Sequence, residues 1–458
     1  MSRRMSLSAA ARGATCTLCL LLLLPVAASA QSGFAGTTGG RTDLPKVLPL
    51  RERDAVIDRW LRIRFETVLP EIMRREGFDM WIVDNREYNE DPVFFTLMPG
   101  VTTAARRRTI LVFYDPGPGQ PIERLAVSRY GVGEWYRGMW NPDEEPDQYR
   151  ALARIITERD PQRIGINVSD TFAFGDGLSA SSLENIERVL PARYRSRLAG
   201  AERLAVGWLE RRTPEEIAAY DGICRIAHDI IARAFSGEVV HPGVTRTADV
   251  IWWIRQAFAD LDLGYWFQPS VEIIRHGGVE RGDPDADLIM PGDVLHCDIG
   301  LVYLGLCTDT QQMAYVLRPG EEDAPAGLRQ ALANANRVQD LFMAEFVAGR
   351  TGNEILSAAL DACRAAGLQA SIYTHPVGYH GHAAGPTIGL WDRQDGVPGK
   401  GDYPLFDDTA YAIELNCRTA VPEWDGQGVT IGLEQKGIFT GGRCRFGDRR
   451  QTAYHLIW

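Results

Sequence analysis

Two aspartates interrupt the apolar segment of residues 294–317. The pattern predicts two strands joined by a turn at residues 303–305, with Asp298 on the first strand and Asp309 on the second. A single buried carboxylate is normally explained by a salt bridge or a turn cap, because leaving it unpaired is costly. Two carboxylates that flank one turn indicate instead a metal ion held between the strands.

Glu414 and Glu434 repeat this anomaly nearer the end of the chain. Each is the only carboxylate in a predicted apolar strand, at residues 411–415 and 429–434. Either glutamate alone could be an exposed charge on an edge strand. Together with the two aspartates, they make four carboxylates in apolar strands within one stretch of chain.

Three of the eight histidines lie close together in the glycine-rich segment of residues 373–391. They are His375, His380 and His382. One histidine on an apolar face is more often a core residue than a ligand. Three histidines on a loop whose glycines allow close backbone approach favour a metal or catalytic site.

Four carboxylates and an imidazole form a ligand set for two divalent metal ions bridged by carboxylates. Such a pair lowers the pKa of a bridging water and polarises a carbonyl oxygen. The oxygen-rich set suits Mn, Fe, Co or Zn, and we expect Mn first. The predicted substrate is a peptide or another small molecule.

The elements that position these residues form a predicted α+β domain at residues 205–458. Thr213, Pro214 and Glu216 predict a capped helix start, followed by a long helix to about residue 235 and another over 248–261. Further helices are predicted near 325–347 and 353–366. Strands and loops fill the rest of this domain.

The sequence of residues 46–204 predicts an α/β domain that contains no recognisable cluster of catalytic or metal-binding residues. Apolar runs at 80–83, 109–114 and 163–168 predict buried strands. Helical spacing of apolar residues predicts helices over 57–72 and 181–190.

Residues 1–30 have the features of a signal peptide: a basic start, a short apolar run and the A-x-A cleavage site Ala28-Ser29-Ala30. The apolar run is shorter than the roughly 20 residues of a membrane-spanning helix. Residues 31–45 predict a flexible leader. We therefore expect a secreted or periplasmic protein that is not bound to a membrane after cleavage.

The composition excludes several classes of protein. The 458 residues include 60 acidic and 49 basic side chains, which gives a formal net charge of -11. This acidity disfavours a nucleic-acid partner, which requires basic surface. The 45% of apolar residues excludes a largely disordered chain.

The order Asp, Asp, His, Glu, Glu, with the two aspartates eleven positions apart, resembles the pita-bread metallopeptidases. The family pattern D-x-G-x-x-Y-x-G begins here at Asp298. The segment FDMWIVDNREYNEDPVFFTLMPG is similar to the creatinase-type N-terminal domain of the Xaa-Pro aminopeptidase and prolidase branch. The resemblance implies a pita-bread catalytic domain preceded by a creatinase-type α/β domain, and a homodimer, which is common in this branch.

The resemblance also implies roles for individual residues. Asp298 and Asp309 would bind the metals, with Asp309 bridging them, and Glu434 would be the last, bridging ligand. Residues 381–385 fit the family's G-H-G-x-G loop, so that His382 would be the metal histidine. Glu414 would bind metal and also act as the general base or acid that handles the proton of the attacking water.

Histidines that contact the substrate depart from the family pattern. The family has one four residues before the metal histidine and another about seven after it, positions held here by Gly378 and Gly389. His375 and His380 would replace the first through a local insertion. His276 resembles the active-site histidine that precedes the aspartate hairpin.

These roles imply an exopeptidase that hydrolyses peptides, with Xaa-Pro bonds as the expected substrate, by attack of a metal-bridged hydroxide. One alternative is a hydrolase or lyase of the same fold that acts on a small non-peptide substrate. Another alternative is an exported binding protein without catalytic activity.

Overall fold

The computed structural model describes residues 45–279 and 282–458. The predicted signal peptide and all but the last residue of the predicted leader lie outside the described residues. Residues 45–458 form one compact unit. The predicted domain boundary at residue 205 falls within a helix and remains a prediction. Among the described residues, no helix is both long and apolar enough to cross a membrane.

The first part of the described chain builds a mixed sheet flanked by helices. Its six strands have the order β4-β3-β2-β1-β5-β6. The strands are β1 (Met80–Arg86), β2 (Arg108–Tyr114), β3 (Glu123–Ser128), β4 (Arg137–Gly138), β5 (Ile164–Ile166) and β6 (Leu198–Gly200). The helices are α1 (Leu50–Glu66), α2 (Val68–Glu76), α3 (Gln148–Arg159), α4 (Ala180–Val189), α5 (Ala192–Arg195) and α6 (Glu202–Glu210).

The three predicted strands of this part are confirmed as β1, β2 and β5. The predicted helix over residues 57–72 is instead two helices, α1 and α2, separated at Thr67. Pro70 explains the break, because it has no N–H to donate to the carbonyl of Glu66 in a continuous helix.

The second part contains a larger sheet with the strand order β13-β15-β16-β12-β9-β8. The strands β14, β17 and β18 pair with β15, β16 and β12, and β7, β10 and β11 form a small separate sheet. These strands are β7 (Gly264–Tyr265), β8 (Ser270–Ile274), β9 (Val294–Ile299), β10 (Leu301–Tyr303), β11 (Leu306–Cys307), β12 (Thr310–Val316), β13 (Gln369–Ile372), β14 (His375–Pro376), β15 (Thr409–Val421), β16 (Gln427–Thr440), β17 (Arg443–Phe446) and β18 (His455–Ile457).

Four helices accompany the larger sheet: α7 (Pro214–Ala234), α8 (Thr247–Asp260), α9 (Ala326–Met343) and α10 (Gly352–Ala365). Each matches a predicted helix within a few residues. The predicted capping box is confirmed, because the Thr213 side chain accepts from the Glu216 N–H and the Glu216 side chain accepts from the Thr213 N–H.

A buried charge network at the start of α7 connects α1 to the histidine-rich loop. Arg64 Nη1 lies 3.0 Å from Glu216 Oε2, and both side chains are fully buried. Arg212 lies 3.6 Å from the same carboxylate. Tyr379, in the loop after β14, donates a 2.7 Å hydrogen bond to Glu216 Oε1. Glu216 therefore contacts three segments of the chain: α1 through Arg64, the residues just before α7 through Arg212, and the loop after β14 through Tyr379.

We expect Glu216→Ala to lower the free energy of unfolding by about 3–5 kcal/mol, because it leaves two buried guanidinium groups without their anion. Chemical denaturation of the variant measures this loss. Glu215→Ala, which removes the exposed neighbouring carboxylate, is the matched control. A loss for Glu216→Ala no larger than that of the control would contradict the assigned role of the network.

Candidate metal centre

Four polar residues lie in one row across four neighbouring strands of the larger sheet. Asp298 of β9 pairs with Gln311 of β12, and Gln311 also pairs with Glu434 of β16. Glu434 in turn pairs with Glu414 of β15. Asp309 precedes Gln311 by two residues, so the alternation of side chains places it on the same face. The four predicted carboxylates thus share one face of the sheet.

His375 brings an imidazole to these carboxylates from β14, the neighbour of β15. Its Nε2 atom lies 3.3 Å from Asp309 Oδ2, 3.7 Å from Glu434 Oε1 and 3.9 Å from Glu414 Oε2. Its Nδ1 atom lies 2.9 Å from the carbonyl oxygen of Pro376. Because a carbonyl oxygen only accepts, Nδ1 carries a proton whether the ring is charged or neutral, so Nε2 is the ring nitrogen able to bind a metal.

Several atoms at this centre are buried without a hydrogen-bond partner among the described residues. They are Asp298 Oδ1, His375 Nε2 and Glu434 Oε1. Asp309, His375 and Glu434 each offer a ligand atom, and these atoms lie within 4.8 Å of one another. Buried polar atoms without partners are unfavourable. A divalent cation would satisfy these atoms, so the residues present fit a metal site.

The pKa shifts of the carboxylates have the same physical origin. Burial raises the pKa of Asp298 and Glu434 well above the usual range, and the nearby charge of Asp309 raises both further. Burial also raises the pKa of Glu414 to about 7, although the charge of His375 opposes this shift. Keeping these groups ionised near neutral pH therefore requires additional positive charge.

A pH-dependent stabilisation by metal follows from these shifts. Glu414 binds its proton more tightly in the folded than in the unfolded chain. The metal-free protein therefore loses stability as pH rises from the ordinary glutamate pKa through about 7, on the order of 3 kcal/mol from this group.

Divalent ions replace those protons, so we expect Mn²⁺ to raise the melting temperature more at pH 8 than at pH 5. Thermal denaturation of chelator-treated protein, with and without Mn²⁺, measures the difference. An equal increase at both pH values would contradict the predicted coupling.

The structure brings His375, rather than His382, among the carboxylates. The ring of His382 lies edge-on to that of His375, with centroids 4.6 Å apart, and 5.0 Å from the ring of Trp266. If His375 is the ligand, His382 follows it by seven residues, the spacing that the resemblance gives for a substrate-contacting histidine. Ser371 then occupies the position four residues earlier, and no insertion is required.

Two other histidines predicted for the site contact different parts of the molecule. His380 stacks on Phe174 with ring centroids 4.3 Å apart, and burial lowers its pKa to about 4. His276 stacks on Trp424, and its Nε2 lies 3.2 Å from Asp425 Oδ2. Trp424 and Asp425 follow the end of β15, and that end lies about 23 Å along the strand from Glu414. The structure does not place His276 with the carboxylates.

Gln311 contacts the candidate ligands, although the sequence did not predict it at the site. Its Nε2 donates to Glu414 Oε1 at 2.6 Å and to Glu434 Oε2 at 3.1 Å. Its Oε1 lies 2.9 Å from Nε2 of His296. The available signal was strand alternation, since Gln311 follows Asp309 by two residues on an apolar strand.

We expect Gln311→Leu to weaken metal binding about 10- to 100-fold, because the amide orients two candidate ligands. Titration of the chelator-treated protein with Mn²⁺ measures the affinity. Gln330→Leu, on the exposed face of α9, is the matched control. Equal affinity in the two variants would show that Gln311 does not position the carboxylates.

A cavity of about 720 Å³ opens beside the carboxylates and His375. Glu414 and His382 line it on the side of the metal centre. Phe172 and Phe174, from the first part of the chain, and Trp391 supply aromatic walls. The cavity is large enough for a short peptide or a similar small molecule.

A sheet that gathers four carboxylates and an imidazole beside such a cavity defines a candidate metal-dependent hydrolase. Residues 219–441 match the family described as Metallopeptidase family M24. The segment that carries the candidate site therefore belongs to this family. The match confirms the predicted pita-bread fold and supports the prediction of a metallopeptidase. The matched segment contains every predicted metal ligand.

Solved structures with the same fold cover nearly the whole described chain. The X-Pro aminopeptidase of Thermotoga maritima MSB8 is 16% identical with a TM-score of 0.58, over 84% of this chain and 100% of the other. A dipeptidase of Pyrococcus horikoshii OT3 is 18% identical with a TM-score of 0.57, over 86% and 100%. The Xaa-Pro dipeptidase of Bacillus anthracis is 16% identical with a TM-score of 0.55, over 90% and 100%.

These likenesses establish the shared fold. No curated protein matches the chain significantly.

Proposed function

We propose that this protein is a dinuclear-metal exopeptidase that cleaves Xaa-Pro peptides. The observation that carries this proposal is the convergence of unpartnered buried ligand atoms beside an open cavity. Membership of a metallopeptidase family supports peptide hydrolysis over a binding role or a non-peptide substrate.

Two divalent ions, Mn²⁺ first, would be held by Asp298, Asp309, His375, Glu414 and Glu434. We assign the histidine ligand to His375 in place of His382, because only His375 directs a free ring nitrogen toward the carboxylates. When bound, the ions would polarise the substrate carbonyl and lower the pKa of a water. They would also offset the charge of the four carboxylates.

Glu414 is suited to proton transfer because it lines the cavity with its side chain 17% exposed. Gln311 holds one of its oxygens and leaves the other toward His375. This second oxygen would accept the proton of the attacking water and return it to the leaving amine. His382, exposed at the cavity, would donate a hydrogen bond to the substrate.

The Xaa-Pro preference draws support from the printed names of two structural neighbours, an X-Pro aminopeptidase and an Xaa-Pro dipeptidase. A panel of Xaa-Pro peptides and matched Xaa-Ala peptides, incubated with Mn²⁺-loaded protein, tests it. We expect faster cleavage of the proline series and loss of cleavage with a chelator. Failure on every peptide would overturn the proposed activity, and equal rates would overturn the proline preference.

We also propose that the protein acts outside the cytoplasm after removal of residues 1–30. The support is the basic, apolar and A-x-A sequence of this segment. N-terminal sequencing of the mature protein should find Gln31 first, and an intact N-terminus would contradict export. The homodimer remains a prediction of the resemblance.

A further inference from the structure

A histidine that the proposed function does not use lies close to two of the candidate metal ligands. His296 is on β9, two residues before Asp298, and its side chain is 17% exposed. Its Nε2 atom lies 2.9 Å from Oε1 of Gln311. The other end of this amide donates to Glu414 and Glu434. His296 therefore reaches both carboxylates through the amide of Gln311.

The two ends of the Gln311 amide are chemically different, so its contacts fix its orientation. An ionised carboxylate has no proton to donate, and the amide nitrogen must therefore face Glu414 and Glu434. Gln311 Oε1 then points to His296. Because this oxygen only accepts, His296 carries a proton on Nε2 whether its ring is neutral or charged. His296 is thus the donor that holds the oxygen end of the amide.

A neighbouring strand holds the imidazole of His296 from its other side. Glu272 of β8 pairs directly with His296 of β9. Its Oε2 atom lies 3.9 Å from His296 Nδ1, and its side chain is 74% exposed. Each ring nitrogen of His296 therefore faces one acceptor, Gln311 on the side of the metal centre and Glu272 on the side of the solvent.

Gly432 provides the room for the contact between His296 and Gln311. It lies on β16, two residues before Glu434, and pairs with Asn416 of β15. A Cβ atom at this position would lie 3.1 Å from His296 Nε2 and 3.2 Å from Gln311 Oε1. Both distances are shorter than ordinary van der Waals contact, so a larger residue here would push the two side chains apart. The hydrogen bond thus depends on a glycine at position 432.

We propose that His296 is a positioning residue that orients the amide of Gln311 toward Glu414 and Glu434. The role rests on the proposed function, in which both carboxylates bind metal. Without the Nε2 donor, the amide can rotate and turn its oxygen toward the carboxylates, which then lose their donor. Loss of a residue that orients a metal ligand weakens metal binding about 10- to 100-fold. Because His296 acts through a second residue, we expect a loss of about 10-fold, at the lower end of this range.

A double-mutant cycle separates this role from a general loss of structure. His296→Phe keeps an aromatic ring and removes the donor, and His296→Gln restores an N–H donor on a side chain of similar reach. Each substitution is made with wild-type Gln311 and with Gln311→Leu, and Mn²⁺ is titrated into the chelator-treated proteins. His241→Phe, at an exposed histidine between α7 and α8, is the matched control.

We expect His296→Phe to weaken Mn²⁺ binding about 10-fold beside the intact Gln311, and His296→Gln to recover most of the affinity. In the Gln311→Leu background, His296→Phe should change the affinity less than about 2-fold, because the amide through which it acts is gone. Equal losses in both backgrounds, or no loss beyond that of the control, would overturn the proposal.

Gly432→Ala tests the same contact with both side chains in place. The added Cβ forces His296 and Gln311 apart, so we expect weaker Mn²⁺ binding than in the wild type. Gly222→Ala, at an exposed position of α7 where a Cβ meets nothing within 4 Å, is the control and should keep the wild-type affinity. Equal affinity in the two variants would contradict the assigned contact.

The protonation site of His296 separates this inference from the proposed function, because its measurement needs neither metal nor peptide. Proton–nitrogen correlation NMR of isotope-labelled, chelator-treated protein reports which ring nitrogen carries the proton, and His296→Phe assigns the signal. We expect a proton on Nε2, and a ring protonated only on Nδ1 would overturn the proposal. If Mn²⁺ fails to bind while Nε2 carries the proton, the proposed function fails and the orienting contact stands.

Discussion

Replacing Asp309 with Asn is expected to weaken metal binding by more than about 100-fold. Loss of a residue that only orients a ligand weakens metal binding by about 10- to 100-fold, and Asp309 is predicted to bind the metal directly. Asp309 lies 3.3 Å from His375 Nε2, and its charge raises the pKa of Asp298 and Glu434. The near-isosteric amide removes a charged ligand and keeps the shape. Mn²⁺ titration and elemental analysis measure the loss, and peptide cleavage should fall with it.

The same substitution has an opposite effect on the metal-free protein. Removing one of several mutually repelling buried carboxylates should raise the free energy of unfolding of the chelator-treated chain. Asp361→Asn, at an exposed site on α10, is the control and should change neither quantity. A metal-free Asp309→Asn variant that is less stable than wild type, with metal affinity retained, would contradict the account of this residue.

Glu414→Gln is expected to lower kcat by about 10²- to 10⁴-fold, the usual contribution of a general acid–base group. The glutamine cannot accept the proton of the attacking water, although it still fills the space beside Gln311. The measurement is kcat and KM for an Xaa-Pro peptide at saturating Mn²⁺, with metal content determined in parallel. KM should change less than kcat, since the chemical step carries the loss.

Glu423→Gln, at an exposed glutamate just after the end of β15, is the matched control for this substitution. Its kcat should equal that of the wild type. If Glu414→Gln retained full kcat with metal bound, another group would have to transfer the proton.

The strand-borne part of the site was predictable from sequence because strands have a strict side-chain period. Side chains two residues apart on a strand face the same side of the sheet. The pairing register then places the carboxylates of neighbouring strands in one row on that side. For this reason the predicted ligands Asp298, Asp309, Glu414 and Glu434 lie together on one face of the sheet. The same period places Gln311 on this face, but a neutral amide costs less to bury than a charge and is a weaker signal of a metal site.

The histidine assignments were harder to predict because the loop after β14 has no repeating period. His375 is adjacent to the carboxylates only because β14 pairs with β15, a long-range contact that local sequence does not encode. The G-H-G-x-G match favoured His382, which the structure places against the ring of His375. His276 was aligned through an assumed insertion, and the structure places it beside Trp424.

The cavity could not be predicted from sequence because distant segments form it. Phe172 and Phe174 precede α4, whereas Trp391 and Lys400 follow β14 by more than ten residues. Their meeting depends on packing between the first part of the chain and the larger sheet. The N-terminal part was predicted to lack a chemical constellation, yet it supplies two of the aromatic walls.

The central claim is that His375 and the four carboxylates hold two metal ions. Anomalous diffraction from a crystal of Mn²⁺-loaded protein tests it most directly. We predict two peaks about 3.5–4 Å apart, one of them about 2.0–2.3 Å from His375 Nε2. No peak among the carboxylates, or a peak bound by His382 in place of His375, would contradict the account.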